Sequence, residues 1–321
     1  MNREKWLKSI KFALASVIAI GLADLLGLKY ATTAGIITIL SIQNTKKETL
    51  KVAARRAAAF VCSLLIAGVC FGIFGFTIAG FAAFLLGFSA ICLYLGWPEA
   101  LSMCAVLVSH FLTEQSMEQV VLLNETLLFV IGAGMGILAN LHLHHKTAEF
   151  DQLAKQADDC MQDTLTAITT QLTRQSTRKN TVEKLEKLQV SLEQLQECAH
   201  RNWNNTLWAP SDYETDYADM RSGQARVLVH ICESADMLEL VPGQARLVAG
   251  LIEEITQAYC RNNPVEDLLE KLYRMYEQMR QEPLPVSREE FEARAVLFYV
   301  LKQVESFLSY KRGFALKHKL K

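Results

Sequence analysis

The residues of this sequence best suited to chemistry are ionisable side chains set inside or beside long apolar segments. Asp24, Glu99, His110 and Glu125 all lie in the strongly apolar first half of the chain. A charge near the centre of a bilayer costs roughly 2.5–3.5 kcal/mol on insertion scales, so such groups persist mainly where they are paired or line an aqueous path. We therefore predict that these four residues are candidates for proton coupling or gating. The alternative for each is an interfacial residue that simply faces water.

A second set of candidates is cationic. Lys11 precedes the first apolar run, and Arg55 and Arg56 precede the third. A guanidinium matches a carboxylate through two parallel hydrogen bonds, and a mouth lined with positive charge concentrates anions. We predict that Lys11, Arg55 and Arg56 bind a substrate that carries a carboxylate. The alternative is that they are ordinary topology signals, because Lys and Arg accumulate on the cytoplasmic side of membrane proteins.

Other catalytic signatures are missing from the sequence. It contains no P-loop, no HExxH, no nucleophile elbow and no glycine-rich phosphate loop. The eight cysteines occur singly, which indicates free thiols in a reducing compartment. Of His142, His144 and His145, only His142 and His145 share a helical face, and no carboxylate partner is evident. We predict no enzyme activity, no cofactor and no metal site.

Six apolar segments within residues 1–145 must position these side chains. They cover about residues 12–28, 31–42, 57–78, 81–97, 100–112 and 120–141. A membrane helix needs about 20 apolar residues, so the second and fifth segments are short. Such lengths are typical of broken or tilted segments beside a cavity. We predict an all-α fold with a six-span helical membrane domain. Polar connections join its helices, one of them over residues 44–56.

Positive charges predict the orientation of these segments. Lys29 is almost alone on one side, whereas basic residues flank the first span and the start of the third: Arg3, Lys5, Lys8, Lys11, Lys46, Lys47, Lys51, Arg55 and Arg56. Cytoplasmic loops carry the excess of Lys and Arg. With an even number of crossings, the N-terminus and everything after the sixth span are predicted to be cytoplasmic.

The second half, residues 146–321, has the period of amphipathic helices. Apolar residues recur three or four apart over 150–172 and again over 182–199, which predicts two long antiparallel helices. Helix-start signals at Ser211 with Glu214, at Asn263-Pro264 and at Ser287 with Glu290 predict the later ones. These should lie near 213–240, 243–261, 265–281 and 288–318. This half is therefore predicted to be a cytoplasmic all-α helical bundle.

Small residues predict where membrane helices approach closely. Gly68 and Gly72 form a GxxxG pair, and Gly132, Gly134 and Gly136 form a cluster. Both patterns permit close backbone contact between helices, although glycine is common in membrane helices in any case.

Longer motifs resemble a known family. ATTAGIITILSIQNTKKETLKVAARR and NETLLFVIGAGMGILANLHLHHK in the first half, with YADMRSGQARVL and FEARAVLFYVLKQVESFLSYKRGF in the second, are similar to the bacterial aromatic acid exporter family within the fusaric acid resistance group. The resemblance covers nearly the whole chain. It implies a multi-pass protein of the bacterial plasma membrane that exports aromatic carboxylates. Because larger relatives carry two such membrane units and this chain carries one, it also implies a homodimer.

Three functions remain open from the sequence. The first is an exporter of aromatic or related organic carboxylates, driven by an ion gradient. The second is a passive organic-anion channel of the same architecture, and the third is a membrane-anchored helical docking or regulatory module. The predicted partners are a small organic anion, membrane lipid and a second copy of the chain. Nucleic acid is not expected, because the net charge is −1 and neither half is basic enough to suggest it.

Overall fold

A computed structural model describes residues 3–141, 147–208, 211–258 and 265–319, with only the backbone described for residues 3–5 and 8. Within these ranges the chain forms twelve α-helices and no β-strand, which confirms the predicted all-α fold. The chain divides into two compact units. The membrane unit contains Met1–His145 and Asn204–Trp208, and the C-terminal unit contains Lys146–Trp203 and Ala209–Lys321.

In its described residues the membrane unit holds six helices: α1 (Arg3–Leu25), α2 (Thr32–Ser41), α3 (Lys46–Phe74), α4 (Ile78–Leu95), α5 (Pro98–Glu114) and α6 (Gln119–Leu141). Three of the helices in the described part of the chain, α3, α4 and α6, are long and apolar enough to cross a membrane, and α2 is a shorter apolar helix. Large apolar side chains on these helices are exposed, as expected for a surface that faces lipid.

The predicted connection over residues 44–56 is wrong, because α3 begins at Lys46. The side chain of Thr45 accepts a hydrogen bond from the backbone N–H of Glu48, which satisfies one of the unpaired donors at the helix start. Polar composition alone suggested a loop, but the residues after Thr45 are mostly good helix formers. Arg55 and Arg56 are consequently helical residues, placed on neighbouring faces of one rigid element.

Other boundaries also differ from the prediction: α3 ends at Phe74 rather than residue 78, and α4 covers Ile78–Leu95 rather than 81–97. The first span was expected to reach residue 28, but α1 ends at Leu25 and Gly27 adopts a positive φ of 67° in the turn that follows. The fifth was expected to begin at residue 100, but α5 begins with Pro98, whose fixed φ and missing N–H suit the first helical position.

The short helix α2 packs against both α1 and α6, with half or more of its residues buried. Glycines of α6 allow this approach. A Cβ placed on Gly132 would lie 2.6 Å from Cβ of Ile37, and one placed on Gly136 would lie 2.5 Å from Cβ of Ser41. Close packing at Gly132 and Gly136 is thus confirmed. Gly68, Gly72 and Gly134, by contrast, have no atom within 4 Å of an added Cβ.

The C-terminal unit contains α7 (Thr147–Leu172), most of α8 (Arg178–Asn205), α9 (Tyr213–Asp236), α10 (Gly243–Gln257), α11 (Glu266–Arg280) and α12 (Arg288–Lys317). Helices α7 and α8 are antiparallel, as predicted. Lys184 pairs with Asp163 at 2.7 Å, and Arg201 pairs with Glu149 at 2.5 Å, so partners later in α8 lie earlier in α7.

The predicted helix-start signals have different outcomes. At Ser287 the hydroxyl accepts from the N–H of Glu290 at 3.2 Å, which confirms that cap. The box at Ser211 is wrong, because α9 begins at Tyr213 and the carboxylate of Glu214 instead accepts from the amide of Asn202 at 2.8 Å. Asn263-Pro264 lies outside the described residues.

A buried polar network joins three helices of the C-terminal unit. Arg221 on α9 is fully buried, and its Nε lies 2.9 Å from the carboxylate of Asp158 on α7. Nη1 of Arg221 donates to Gln224, whose amide donates to the carbonyl of Phe307 on α12 at 3.0 Å. Burial, with the nearby Asp158 carboxylate, raises the pKa of Tyr217, which donates its hydroxyl proton to Asp158. The network fixes how α7, α9 and α12 pack.

Candidate functional site

Arg56 is the most deeply buried of the predicted substrate-binding residues, with 3% of its surface exposed. Nη1 donates to the hydroxyl of Ser41 at the end of α2, and Nη2 donates to the backbone carbonyl of Glu99 on α5, both at 3.2 Å. Its Nε atom is buried and has no hydrogen-bond partner among the described residues. The guanidinium therefore bridges α2, α3 and α5 and retains one unused donor.

The neighbouring arginine has a different environment. Arg55 pairs with the Glu99 carboxylate, with Nη1 3.3 Å from Oε1, and 38% of its side chain is exposed. Because Arg56 donates to a hydroxyl and a carbonyl, these two hydrogen bonds do not neutralise its charge. A buried charge is costly unless it is paired, so an anion that reached Arg56 would relieve that cost.

Lys11 lies in a second group of contacts. Its ammonium donates to Oδ1 of Asn140 at 2.6 Å, and the same amide donates to Thr49 at 2.6 Å and to the carbonyl of Gln43 at 2.7 Å. Thr49 and Arg56 are seven residues apart on α3, about 10 Å along the helix. The structure thus separates Lys11 from the Arg55–Glu99 pair by roughly two helical turns.

His110 and Glu125, predicted individually from the sequence, form one buried pair. Nδ1 of His110 lies 2.7 Å from Oε2 of Glu125, with 10% and 1% of the two side chains exposed. His110 is eleven residues after Glu99 on α5, which corresponds to about 17 Å of helix. The pair and the arginines therefore lie toward opposite ends of α5.

The loop between α1 and α2 covers this pair. The ring of Tyr30 stacks on His110, with centroids 4.1 Å apart, and its hydroxyl donates to Glu114 at 3.0 Å. Lys29 pairs with the same carboxylate at 2.6 Å, and this hydrogen bond raises the pKa of Lys29. A cavity of about 370 Å³ lies beside the loop and the start of α6.

Two groups of candidates remain apart from these clusters. Asp24 is exposed near the end of α1 and forms no ion pair with another described residue. His142, His144 and His145 lie outside the described residues, and the residues that the structure does describe contain no group of three or more potential metal ligands. The structure therefore unites four of the seven candidates in two pairs, Arg55 with Glu99 and His110 with Glu125.

Sequence reasoning missed several polar residues that complete these clusters. Ser41, Thr49 and Asn140 contact the cationic candidates or their partners, and Asn124 contacts Glu125. Asn124 and Asn140 were detectable, because an amide within an apolar helix is costly unless it is hydrogen-bonded. Ser41 and Thr49 gave no comparable signal, since hydroxyls on helices commonly bond the preceding turn.

Comparisons with known proteins cover almost the whole chain. Residues 5–143 match the family described as "Aromatic acid exporter family member 1", and residues 147–312 match the "Putative aromatic acid exporter C-terminal domain". The uncharacterized protein YqjA of Bacillus subtilis (strain 168) is 27% identical over 307 residues, which cover 96% of this chain and 95% of that protein. The solved structure of a "putative membrane protein from Clostridium difficile 630" is 24% identical, with a TM-score of 0.48 over 53% of this chain and 99% of that one.

Proposed function

This chain belongs to the aromatic acid exporter family, and from that premise we propose that it exports aromatic carboxylates from the cytoplasm in exchange for protons. The observation that carries the proposal is the buried Arg56, which retains an unused Nε–H and donates its other hydrogen bonds to uncharged acceptors. A carboxylate bound there gains a charge-assisted hydrogen bond, and its aromatic ring meets the apolar core of the unit.

Substrate binding at Arg56 requires movement. Ser41 and the carbonyl of Glu99 cover the guanidinium, so a carboxylate replaces one of these acceptors as α2 and α5 separate. The Arg55–Glu99 pair is more exposed and lies at the entrance to this site. In this scheme Arg56 holds the substrate, whereas Arg55 and Lys11 attract it electrostatically.

The His110–Glu125 pair is the proposed proton site. Histidine changes its charge within the physiological pH range, and two strongly interacting groups take up and release protons as a unit. Glu99, whose carbonyl contacts Arg56, and His110 are about 17 Å apart along α5, so in this scheme the proton and the substrate bind at different depths in the membrane. Glu99, bound by Arg55, is assigned to gating, and the exposed Asp24 is assigned neither role.

The proposed topology follows the sequence prediction. The chain crosses the bacterial plasma membrane six times, the short α2 together with the residues that flank it, and both termini and the domain at 146–321 are cytoplasmic. Two copies form a dimer in the lipid bilayer. Single-cysteine accessibility from each side of the membrane tests the orientation, and crosslinking in native membranes tests the dimer.

Transport by purified protein in liposomes tests the function. We expect a benzoate-type acid to accumulate in response to an imposed pH gradient, and we expect dissipation of the gradient to abolish the accumulation. A panel of aromatic and aliphatic carboxylates defines the specificity. Absence of transport for every aromatic acid would refute the proposal, whereas unitary currents without a pH gradient would establish a passive channel instead.

A further inference from the structure

Asn124 makes an unusual set of contacts beside the proposed proton site. Its side-chain Oδ1 accepts from the backbone N–H of Lys29 at 2.9 Å, and its Nδ2 donates to the backbone carbonyl of Lys29 at 3.1 Å. One amide side chain thus pairs with both backbone groups of a single loop residue. Because the bonds are to backbone, they hold the 26–31 loop between α1 and α2 whatever side chain occupies position 29.

The same amide is bonded to the buried carboxylate. The second Nδ2 hydrogen is directed at Oε1 of Glu125, at 2.9 Å, while Oε2 of Glu125 lies 2.7 Å from His110. Asn124 has two N–H donors and one carbonyl oxygen, and these contacts use both donors. The backbone of the loop is therefore hydrogen-bonded, through one amide side chain, to the carboxylate of Glu125.

The remaining contacts of the loop reach the same region. Tyr30 stacks on His110 and donates to Glu114, and Lys29 pairs with Glu114. The titratable or charged groups facing the pair are therefore Lys29 and Tyr30 from the loop and Glu114 from α5. Together with Asn124 they close the loop over α5 and α6, next to the cavity of about 370 Å³.

We propose that Asn124 is a positioning residue that makes the 26–31 loop a gate controlled by the protonation of Glu125. The ionised carboxylate accepts from Asn124 and holds the amide in the orientation that pairs with Lys29. A proton on Glu125 occupies one of the lone pairs and removes the negative charge, so the bond to Asn124 becomes a weaker neutral one. The amide then turns more freely and its two bonds to Lys29 weaken, so the loop, still tethered to Glu114, opens the cavity to the adjacent aqueous phase more often.

This inference deepens the proposed function, because it rests on the His110–Glu125 pair as the proton site and adds the element that the proton moves. In this scheme, protonation opens the cavity on the side of the membrane unit where the 26–31 loop lies. Arg56 contacts the opposite end of α5, and in this scheme it belongs to the step in which the substrate enters from the cytoplasm. Protonation of Glu125 therefore opens the loop side of the unit, although Glu125 does not contact the substrate.

Cysteine accessibility tests the gate independently of transport. Val121 lines the cavity and is half-buried, so V121C reports opening through its reaction with a membrane-impermeant maleimide. In full-length protein in liposomes, the rate of V121C labelling at each pH is divided by the rate for an exposed reference cysteine, Q119C, so that the loss of reactive thiolate at low pH cancels. We expect this ratio to be about tenfold higher at acid pH than near pH 8, the factor separating a charge-assisted from a neutral hydrogen bond. The chain without V121C provides the background from the native cysteines.

Variants at position 124 give two distinct signatures. In the V121C chain, Asn124→Ala should give a high labelling ratio at both pH values, because the loop then keeps only its contacts with Glu114 and His110. Asn124→Asp keeps the size and the acceptor for Lys29 but sets a second carboxylate beside Glu125. It should move the labelling curve to higher pH, because like charges favour protonation of one of them. Gln119→Ala, at an exposed position on α6, is the matched control and should follow the parent curve.

The outcomes separate this inference from the proposed function. If Asn124→Ala retains the parent pH dependence of labelling, the gate is refuted, even if proton-driven transport is present. If labelling responds to pH and to Asn124 as expected while no aromatic acid is transported, the gate stands and the cargo assignment fails. Asn124→Asp covers the case in which Asn124→Ala does not fold, because it preserves side-chain volume.

Discussion

Nδ1 of His110 lies 2.7 Å from Oε2 of Glu125, so the end of α5 is joined to the start of α6 by two titratable groups that are almost completely buried. Either group alone would be an expensive occupant of an apolar interior. As a pair they offset part of each other's desolvation cost. This relationship distinguishes them from Asp24, which is exposed, and from Glu99, which pairs with a permanently charged arginine.

Arg56→Gln should impair transport far more than Arg55→Gln. Replacing the guanidinium of Arg56 removes the charged donor proposed to hold the carboxylate, and hydrogen bonds to charged groups contribute about 1.5–3 kcal/mol. We expect kcat/KM for a benzoate-type acid to fall about 10- to 100-fold. Arg55→Gln, which breaks a half-exposed pair and weakens only the electrostatic attraction of the substrate, is the comparison and should lower kcat/KM by less than about threefold. Equal effects of the two substitutions in the liposome assay would contradict the assignment.

Glu125→Gln should uncouple transport from the proton gradient. Glutamine preserves the shape and can still bond His110 and Asn124, but it cannot exchange a proton near neutral pH. We expect exchange of substrate across liposomes to continue and accumulation driven by a pH gradient to be lost. Glu118→Gln, an exposed carboxylate near the start of α6, is the control and should retain accumulation. Gradient-driven accumulation by Glu125→Gln would rule out this proton site.

Arg221→Met should destabilise the C-terminal unit. It leaves Asp158 and Gln224 without their buried partner, and breaking a buried ion pair costs about 3–5 kcal/mol. Hydrogen exchange of the α9 amides in full-length protein should accelerate by at least about 100-fold, since 1.4 kcal/mol corresponds to a factor of ten. Arg226→Met changes an exposed arginine on the same helix and should have almost no effect. Similar exchange in the two variants would show that the network is not structurally important.

Gly136→Ala should disturb the packing of α2 against α6. The added methyl would meet Cβ of Ser41 at 2.5 Å, a contact that requires backbone movement, and overpacking typically costs about 1–3 kcal/mol. We expect a lower thermal unfolding midpoint in detergent and weaker transport, because Ser41 also contacts Arg56. Gly68→Ala adds a methyl to an open position inside α3, so it should leave the midpoint unchanged or raise it slightly through the higher helix propensity of alanine. A normal midpoint for Gly136→Ala would show that α2 can shift without cost.

Local sequence signals were sufficient for the helices but not for all their boundaries. Apolar periodicity and length predicted the short α2 and the antiparallel α7 and α8, because those patterns reflect which face of a helix is buried. The start of α3 was misjudged because its first eleven residues are mostly polar, although Thr45 and Glu48 carry a recognisable cap. The polar composition of a segment indicates that it faces water, but the capping residue determines where the helix begins.

The sequence by itself determined the helical class, the two unlike halves, the resemblance to an exporter family and the small set of ionisable residues in apolar surroundings. Only the tertiary structure decided which of these residues act together. Arg55 and Arg56 are adjacent in the chain, but successive residues of a helix are rotated by about 100°. Arg55 therefore lies in a half-exposed ion pair with Glu99, whereas Arg56 is buried in the interior. His110 and Glu125 lie on different helices, and their pairing depends on how those helices pack. Such contacts arise between side chains distant in sequence, so no local pattern encodes them.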